Sequence, residues 1–169
     1  MDQNQFTGTI PSIIGAFTGL KDIRLFSNFL TGTIPTEVAQ LSDLSFLEIG
    51  DNHLRGEIPE GIFNLTSLIT LSLPNNTDIQ GTISPLISQL HDLTWLQIGY
   101  TDIGGTLPNE LFGLTELSYL DLEGAFFTGT IPEAIRLLNT SLHELLLGFN
   151  AFSGAVPEAF DHLTALGKN

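Results

Sequence analysis

The sequence describes an acidic chain of single-domain length. It has 169 residues, a formal net charge of −14 and a hydrophobic fraction of 42%, which is enough to bury a core. The charge argues against nucleic acid and anionic membranes as partners, and the lack of cysteine excludes disulfides and thiolate chemistry. No stretch approaches the roughly 20 consecutive apolar residues that a membrane span needs.

Glycines mark an internal repeat along the whole chain. Successive copies are 24 or 25 residues apart, a period that is specific to stacked repeat architectures. The chain is therefore expected to be a stack of similar coils. The marker glycines are Gly8, Gly32, Gly56, Gly81, Gly105, Gly129 and Gly154.

Each unit reads L-x-x-L-x-L-x-x-N-x-L-x-G-x-I-P, and residues 20–35 and 44–59 follow this pattern closely. The apolar positions must point inward, because one coil cannot bury them until a neighbour stacks on it. Alternation at Ile23 and Leu25 predicts a short strand, and copies at a fixed period align as parallel strands about 4.8 Å apart. The proline after the glycine predicts a short helical turn.

An asparagine follows the predicted strand in most units, where the chain bends. A buried amide at this place can serve backbone groups that the bend leaves unpaired. Two successive units carry Thr101 and Ala125 there instead, so we expect a local weak point between these residues. The predicted structural asparagines are Asn4, Asn28, Asn52, Asn76 and Asn150.

This unit resembles the plant-type leucine-rich repeat, because Leu-Thr-Gly-Thr-Ile-Pro at 30–35 matches the half that distinguishes this subclass. The resemblance implies an α/β solenoid, a right-handed superhelix with a parallel β-sheet on the concave face and short 3-10 or helical turns on the convex face. It covers one domain: a partial repeat 1–19, the repeats 20–43, 44–67, 68–92, 93–116, 117–141 and 142–165, and the start of a further repeat at 166–169.

The family includes ectodomains of receptor-like kinases and receptor-like proteins, and secreted inhibitors of wall-degrading enzymes. The resemblance implies non-catalytic recognition of a peptide or protein ligand, outside the cell or at its surface. The family's paired-cysteine caps and a signal peptide are missing, and the chain starts and stops inside a unit. We therefore expect a fragment of a longer array, with any kinase or membrane-spanning region outside the given chain.

The outward strand positions and the bend residues after them define the predicted concave face. Six of its 24 positions are aromatic, against nine of the other 145 residues, and every Trp and Tyr is among the six. Ligand-binding candidates on this face are Asp22, Arg24, Phe26, Phe46, Glu48, Asp51, Trp95, Gln97, Tyr100, Tyr119, Asp121, Glu123, Glu144 and Phe149.

Two interpretations of this face stay open. The aromatic residues either anchor a ligand or simply favour strands and stack on parallel neighbours. Six acidic residues face Arg24 alone, which either attracts a basic partner or reflects the solubility charge of an acidic protein. A face about 30 Å long offers about 400–500 Å², below the about 800 Å² per partner of a standard interface.

Three sequences match the acceptor for N-linked glycans, at Asn64, Asn75 and Asn139. Their number decides little about the compartment, because one or two are expected by chance in a chain of this composition. Asn64 and Asn139 lie away from the predicted strand, whereas Asn75 lies at the concave edge. A glycan on Asn75 would divide the concave face and direct a ligand to the Trp95 side.

Nothing in the sequence points to catalysis. The four histidines fall at unrelated repeat positions, so stacking does not gather them into a metal site. Neighbouring acids such as Asp121 and Glu144 lie on an open face without the enclosed pocket that tunes a catalytic pKa. Every glycine is explained by the repeat, which leaves no phosphate-binding loop. We expect no enzyme activity, metal or cofactor in this segment.

Two other functions remain open. One is an intracellular scaffold for protein–protein interaction in the cytoplasm, without glycans. The other is a structural array, such as a wall-associated or ice-surface protein, which a flat ladder of identical Thr or Asn residues would favour. The concave positions vary from unit to unit, and this variation favours a specific partner.

Overall fold

A computed structural model describes residues 1–163 as a stack of coils with all strands parallel. It confirms the predicted solenoid, with one sheet along the concave face and short 3-10 helices along the convex face. Residues 164–169, which include the predicted start of a further repeat, lie outside the described residues. The concave strands are Asp22–Arg24, Phe46–Glu48, Thr70–Ser72, Trp95–Gln97, Tyr119–Asp121 and Glu144–Leu146.

The 3-10 helices begin after a proline in most repeats and after Ser84 in the repeat whose proline is shifted by one residue. Most of these prolines are the N-cap residue, as Pro35 is with φ −68° and ψ 137°, and the fixed φ of proline suits this extended backbone. Pro85 instead lies at the start of its helix, where its missing N–H costs no hydrogen bond. The helices are Ser12–Ala16, Thr36–Gln40, Glu60–Asn64, Pro85–Gln89, Asn109–Gly113, Glu133–Leu138 and Glu158–His162.

A second parallel sheet, which the sequence analysis missed, is formed by the segments around the marker glycines. Gly32 has a φ of +79°, and a side chain on it would lie 2.8 Å from the methyl group of Thr9 in the preceding repeat. Glycine is thus required both by the backbone and by close stacking. The strands are Thr7–Thr9, Phe29–Gly32, His53–Glu57, Asp78–Thr82, Asp102–Gly105, Phe126–Gly129 and Ala151–Phe152.

The hydrophobic core runs without interruption between the two sheets and the helices. Leu47, Leu71 and Leu120, which occupy the same position of their repeats, are at most 1% exposed. In the last complete repeat the equivalent Leu145 is only partly buried. In the first complete repeat Leu25, two residues beyond the equivalent Ile23, is partly buried as well. The difference follows from the stack, because each coil buries its leucines against the coils on both sides.

Asparagine side chains connect successive coils inside the bends. The Asn52 amide donates to the carbonyl oxygens of Leu25, Ile49 and Gly50 at 2.9–3.1 Å, and its oxygen accepts from the Leu30 N–H at 3.0 Å. Asn28, Asn76 and Asn150 make corresponding bonds, whereas the exposed Asn4 donates only to Met1 and Asp2.

The two repeats without asparagine do not reproduce this connection between coils. The Thr101 hydroxyl donates to the Ile98 carbonyl at 2.8 Å and accepts from the Ile103 N–H at 3.4 Å. Ala125 is buried and offers no polar atom. Both bonds of Thr101 lie within its own repeat and do not reach the preceding coil as the Asn52 bonds do. A weak point at residues 101–125 stays a prediction.

Replacing Asn52 with alanine is expected to lower the free energy of unfolding by about 2–3 kcal/mol, because the buried Leu30 N–H and three carbonyl oxygens lose a partner. Asn4→Ala is the matched control, with an expected change within about 0.5 kcal/mol because Asn4 is exposed. Urea unfolding followed by circular dichroism measures both. Equal losses in the two variants would contradict a structural role for the buried amide.

Candidate recognition face

The register of the concave sheet places equivalent residues of successive repeats side by side. Trp95 pairs with Tyr119, and Tyr119 pairs with Glu144, at the first outward position of three neighbouring strands. Gln97 pairs with Asp121 at the second outward position. Side chains that are 24 or 25 residues apart in the sequence thus become direct neighbours on one surface.

The first half of the concave face comprises the strands Asp22–Arg24, Phe46–Glu48 and Thr70–Ser72. Its charged side chains pair largely with one another. The Arg24 guanidinium lies 3.1 Å from Asp22 and 3.6 Å from Glu48, and it sits 4.8 Å above the centre of the Phe46 ring. Cation–π contact and ion pairing act together at this place. The one basic residue among the predicted positions is therefore held by its own neighbours.

The second half of the face comprises the strands Trp95–Gln97, Tyr119–Asp121 and Glu144–Leu146, and its main feature is a stacked pair of aromatic rings. Trp95 and Tyr119 lie parallel, with ring centres 3.7 Å apart and planes 4° from parallel. The Trp95 side chain remains 38% exposed. A depression of about 390 Å³ reaches from Trp95 towards Phe26, and another of about 370 Å³ lies between the stack and Glu144. The stack thus stands between two shallow depressions.

A row of polar side chains runs beside this stack across three strands. Ser72 donates to Gln97, and the Gln97 amide donates to Asp121 at 3.2 Å. Asp121 also accepts from the Glu123 N–H at 2.9 Å and is only 5% exposed. The row holds the Asp121 carboxylate in a fixed position beside the aromatic pair.

The acidic residues of the second half act on both tyrosines. Burial, followed by the charges of Asp121, Glu144 and Glu123, raises the pKa of Tyr119 to about 12. Burial, the charge of Glu123 and a hydrogen bond to Glu123 raise the pKa of Tyr100. Both shifts have the direction expected of a negative field, which disfavours a phenolate.

The residue before each bend position has a left-handed backbone. Tyr100 and Phe149 have φ values of 55° and 53°, and Gly124 has a φ of 62° at the equivalent place. Such a conformation is uncommon for bulky residues. A side chain on Gly124 would lie 2.6 Å from the Tyr100 ring, so glycine here lets that ring lie against the backbone. Phe149 is 80% exposed.

The remaining predicted binding and glycosylation residues lie at various distances from the Trp95–Tyr119 stack. Phe26 is half-buried, and Asp51 accepts hydrogen bonds from Ser27 and Asn75. Of the glycosylation candidates, Asn64 and Asn75 are exposed and Asn139 is half-buried. The predicted positions thus form one surface, whereas Asn64 and Asn139 lie at the ends of 3-10 helices on the other side of the coil.

The outward side of the second sheet carries a row of threonines that the sequence analysis overlooked, and we call it the threonine face. The residues that follow six consecutive marker glycines are all exposed; five are threonines, and Glu57 interrupts their row. The signal is present in the sequence as the recurring Gly-Thr pair. The row consists of Thr9, Thr33, Glu57, Thr82, Thr106 and Thr130.

Neither metal coordination nor membrane insertion has structural support in the part of the chain that is described. Within residues 1–163, no three His, Asp or Glu side chains are grouped so that they could hold a metal ion. His53, His91 and His143 are exposed and lie apart. No helix in this range is long and apolar enough to cross a bilayer.

Comparison with known proteins gives the family context. A sequence model of the leucine-rich repeat family matches residues 43–65. The fold is similar to the ectodomain of the Arabidopsis thaliana receptor kinase GASSHO1/SCHENGEN3 in complex with CASPARIAN STRIP INTEGRITY FACTOR 2, with 32% identity and a TM-score of 0.93 over 98% of this chain. A search of curated protein sequences found no match.

Two further structures are informative. The plant peptide hormone receptor RGFR1 in complex with RGF2 has 34% identity and a TM-score of 0.94 over 98% of this chain. A plant ice-binding protein has 25% identity and a TM-score of 0.85 over 92% of this chain and 50% of its own. The chain spans only 20% and 26% of the two receptor chains.

The raised pKa of Tyr119 predicts a distinct alkaline titration. In a Tyr100→Phe variant, where Tyr119 is the only tyrosine, phenolate absorbance after a rapid pH jump should have a midpoint near 12 in the folded protein. The unfolded chain, with a pKa near 10, loses its proton first, so stability should fall as the pH rises from about 10 to about 12.

The charge of Asp121 contributes to that shift, so adding Asp121→Asn should lower the folded midpoint. The same titration in denaturant, with a midpoint near 10, is the reference. A folded midpoint equal to the denatured one would show that the acids do not act on this ring.

Proposed function

Because this chain is a leucine-rich repeat protein with plant-type repeats, we propose that it recognises a peptide or protein ligand through its concave face and catalyses no reaction. The observation that carries the proposal is the exposed Trp95–Tyr119 stack between two depressions. Two proteins of similar fold are receptors solved with a bound factor or peptide hormone, which supports ligand recognition by this architecture.

Exposed aromatic residues on this face offer the binding energy that a small interface needs. Trp95, Tyr100 and Phe149 are 38%, 44% and 80% exposed, so each has apolar surface that a ligand can remove from water. Large aromatic side chains dominate the energetics of protein interfaces. Three anchors on one surface suit a short, extended segment of a partner.

The backbone conformation at two of these anchors is a feature of the repeat. The left-handed conformation costs roughly 1–2 kcal/mol for a residue other than glycine. Gly124 avoids this cost in one repeat, yet the chain carries Tyr100 and Phe149 at the same place in two others. The equivalent residues of the other repeats, such as Ser27 and Asp51, have the same backbone, so the repeat imposes it, and Tyr100 and Phe149 place an exposed aromatic ring there.

The charge of the face favours a basic ligand. Arg24 is neutralised by Asp22 and Glu48, whereas Glu123 and Glu144 lie in the second half beside the aromatic stack. Opposite charge on a partner would accelerate association and orient the ligand on this half of the face.

We place the protein in a secreted or cell-surface receptor-like molecule, with glycans on Asn64, Asn75 or Asn139. The support is its likeness to receptor ectodomains and the exposure of Asn64 and Asn75. Glycopeptide mass spectrometry on protein made by a secreting plant or algal host tests this assignment. Bare asparagines at all three sites would favour the cytoplasmic scaffold.

Alanine substitution at the aromatic stack tests the recognition face. Peptides that bind the wild-type chain can be selected from a displayed random library. Trp95→Ala and Tyr119→Ala should each weaken their binding about 30-fold, the effect of losing an interface hot spot of about 2 kcal/mol. Phe126→Ala, which removes an exposed aromatic ring from the second sheet, should change affinity less than about threefold.

Unchanged affinity in both stack variants would reject the concave face as the binding surface. A loss in Phe126→Ala of the same size would point to the second sheet instead. Calorimetry and surface-based kinetics measure the affinities of the same peptides. Circular dichroism of each variant shows whether a loss of affinity reflects misfolding instead.

A second candidate function is binding to an ice surface through the threonine face. The specific observation is the row of exposed threonines, which repeats a hydroxyl and a methyl group at the spacing of parallel strands, about 4.8 Å. A regular array of this kind can match a crystal lattice, and one protein of similar fold is a plant ice-binding protein. Glu57 and its neighbour Arg55 interrupt the row.

Ice growth measured by thermal hysteresis and by recrystallisation tests this candidate. Glu57→Thr completes the row and should raise the activity, whereas Thr106→Lys should remove it because the long charged side chain prevents flat contact. Trp95→Ala, on the other sheet, is the control and should have no effect. Wild-type protein without either activity would exclude this function.

A further inference from the structure

Two groups of four side chains at opposite ends of the concave sheet have matching positions. The first group, Asp22, Arg24, Phe46 and Glu48, occupies the first two strands, and we call it the first quartet. Asp22 and Arg24 lie on the first strand, and Phe46 and Glu48 lie beside them on the second. Arg24 lies over the ring and contacts both carboxylates.

The second quartet consists of Glu144, Leu146, Tyr119 and Asp121 on the last two strands. Glu144 corresponds to Asp22, Tyr119 to Phe46 and Asp121 to Glu48, with the strand order reversed. Leu146 stands at the place of Arg24. The second quartet therefore has the ring and both carboxylates of the first, but a neutral side chain where the first has its cation.

We propose that the second quartet binds an arginine side chain of the partner, which would lie against the Tyr119 ring and beside Glu144, as Arg24 lies against Phe46 within this chain. This inference rests on the proposed recognition function of the concave face. It specifies the chemistry of the ligand at one subsite.

The geometry leaves room for such a side chain. Trp95 covers one face of the Tyr119 ring, and the other face is turned towards the strand that carries Glu144. A depression of about 370 Å³ lies there, lined by Trp95, Ser118, Tyr119, His143 and Glu144. A planar guanidinium can stack on the ring and pair with a carboxylate at once, which an ammonium group does less well.

The charges around Tyr119 provide independent support. Burial is the largest cause of the raised pKa of Tyr119, and the charges of three carboxylates, those of Asp121, Glu144 and Glu123, raise it further. Asp121 is fixed by Gln97 and by the Glu123 N–H, so its charge stays beside the ring rather than turning into solvent. Glu144 is exposed and available for direct pairing.

Trp95 is the only tryptophan, so its fluorescence reports on this subsite directly. The probe is acetyl-arginine amide, and acetyl-citrulline amide, a neutral molecule of the same shape, is its control. We expect saturable quenching by the arginine probe and at least about tenfold weaker binding of citrulline, because the charge supplies the cation–π and ion-pair contacts.

Leu146→Arg should abolish this response, because it supplies the cation from within the chain as Arg24 does in the first quartet. Leu146→Gln is the matched control of similar size without charge and should retain the response. Arg24→Leu removes the cation from the first quartet, so the probe should then also shift the Phe46 ring protons in NMR spectra.

An absent response in the wild type, or one that persists in Leu146→Arg, would overturn the arginine subsite. Such a failure is distinguishable from failure of the proposed function, which library peptides and Trp95→Ala test without any arginine probe. Peptides that need Trp95 but contain no arginine, and that bind Leu146→Arg equally well, would leave recognition in place and exclude this ligand chemistry.

Discussion

The arrangement of this protein depends on the stacking of coils that share one leucine core at a single strand spacing. Leu71 is fully buried only because equivalent leucines lie in the coils on both sides. A slip of one residue between neighbouring strands would turn these side chains to the surface. Burial of the leucines therefore fixes the register of the strands, and this register also sets the positions of the surface side chains.

Because the register is fixed, the period of the sequence determines which side chains lie next to one another on the surface. Residues one repeat apart become neighbours, whether they are equal or different. On the second sheet, similar residues produce the threonine face, in which the methyl group of each threonine packs over the glycine of the next repeat. On the concave sheet, differing residues produce the Arg24–Phe46 contact and the Trp95–Tyr119 stack. One scaffold thus presents a uniform surface and a varied one.

The backbone conformation of the bends is set by the interior of the coil and also determines which side chains reach the surface. Asn52 and its equivalents need a bend in which the amide reaches carbonyl oxygens of two coils. That bend requires a left-handed conformation in the preceding residue. Tyr100 has this conformation although Thr101 rather than an asparagine follows it, so the conformation belongs to the bend itself, and the rings of Tyr100 and Phe149 are exposed on the concave face.

The sequence alone determined the solenoid, the concave strands and, apart from Asn4, the asparagines that connect successive coils, because a strict period of 24 or 25 residues admits only parallel stacking. It also identified which residues share the concave face, since alternation along a strand assigns every second side chain to one side.

The tertiary structure decided what those residues do to one another. The second sheet could not be read from the sequence, because Gly-Thr pairs are equally typical of turns, and only stacking gives them strand partners. The single cation on the concave face, Arg24, proved to be held by Asp22, Glu48 and Phe46, which side-chain geometry alone reveals. Period fixes which positions become neighbours, whereas distance and orientation decide which contacts form.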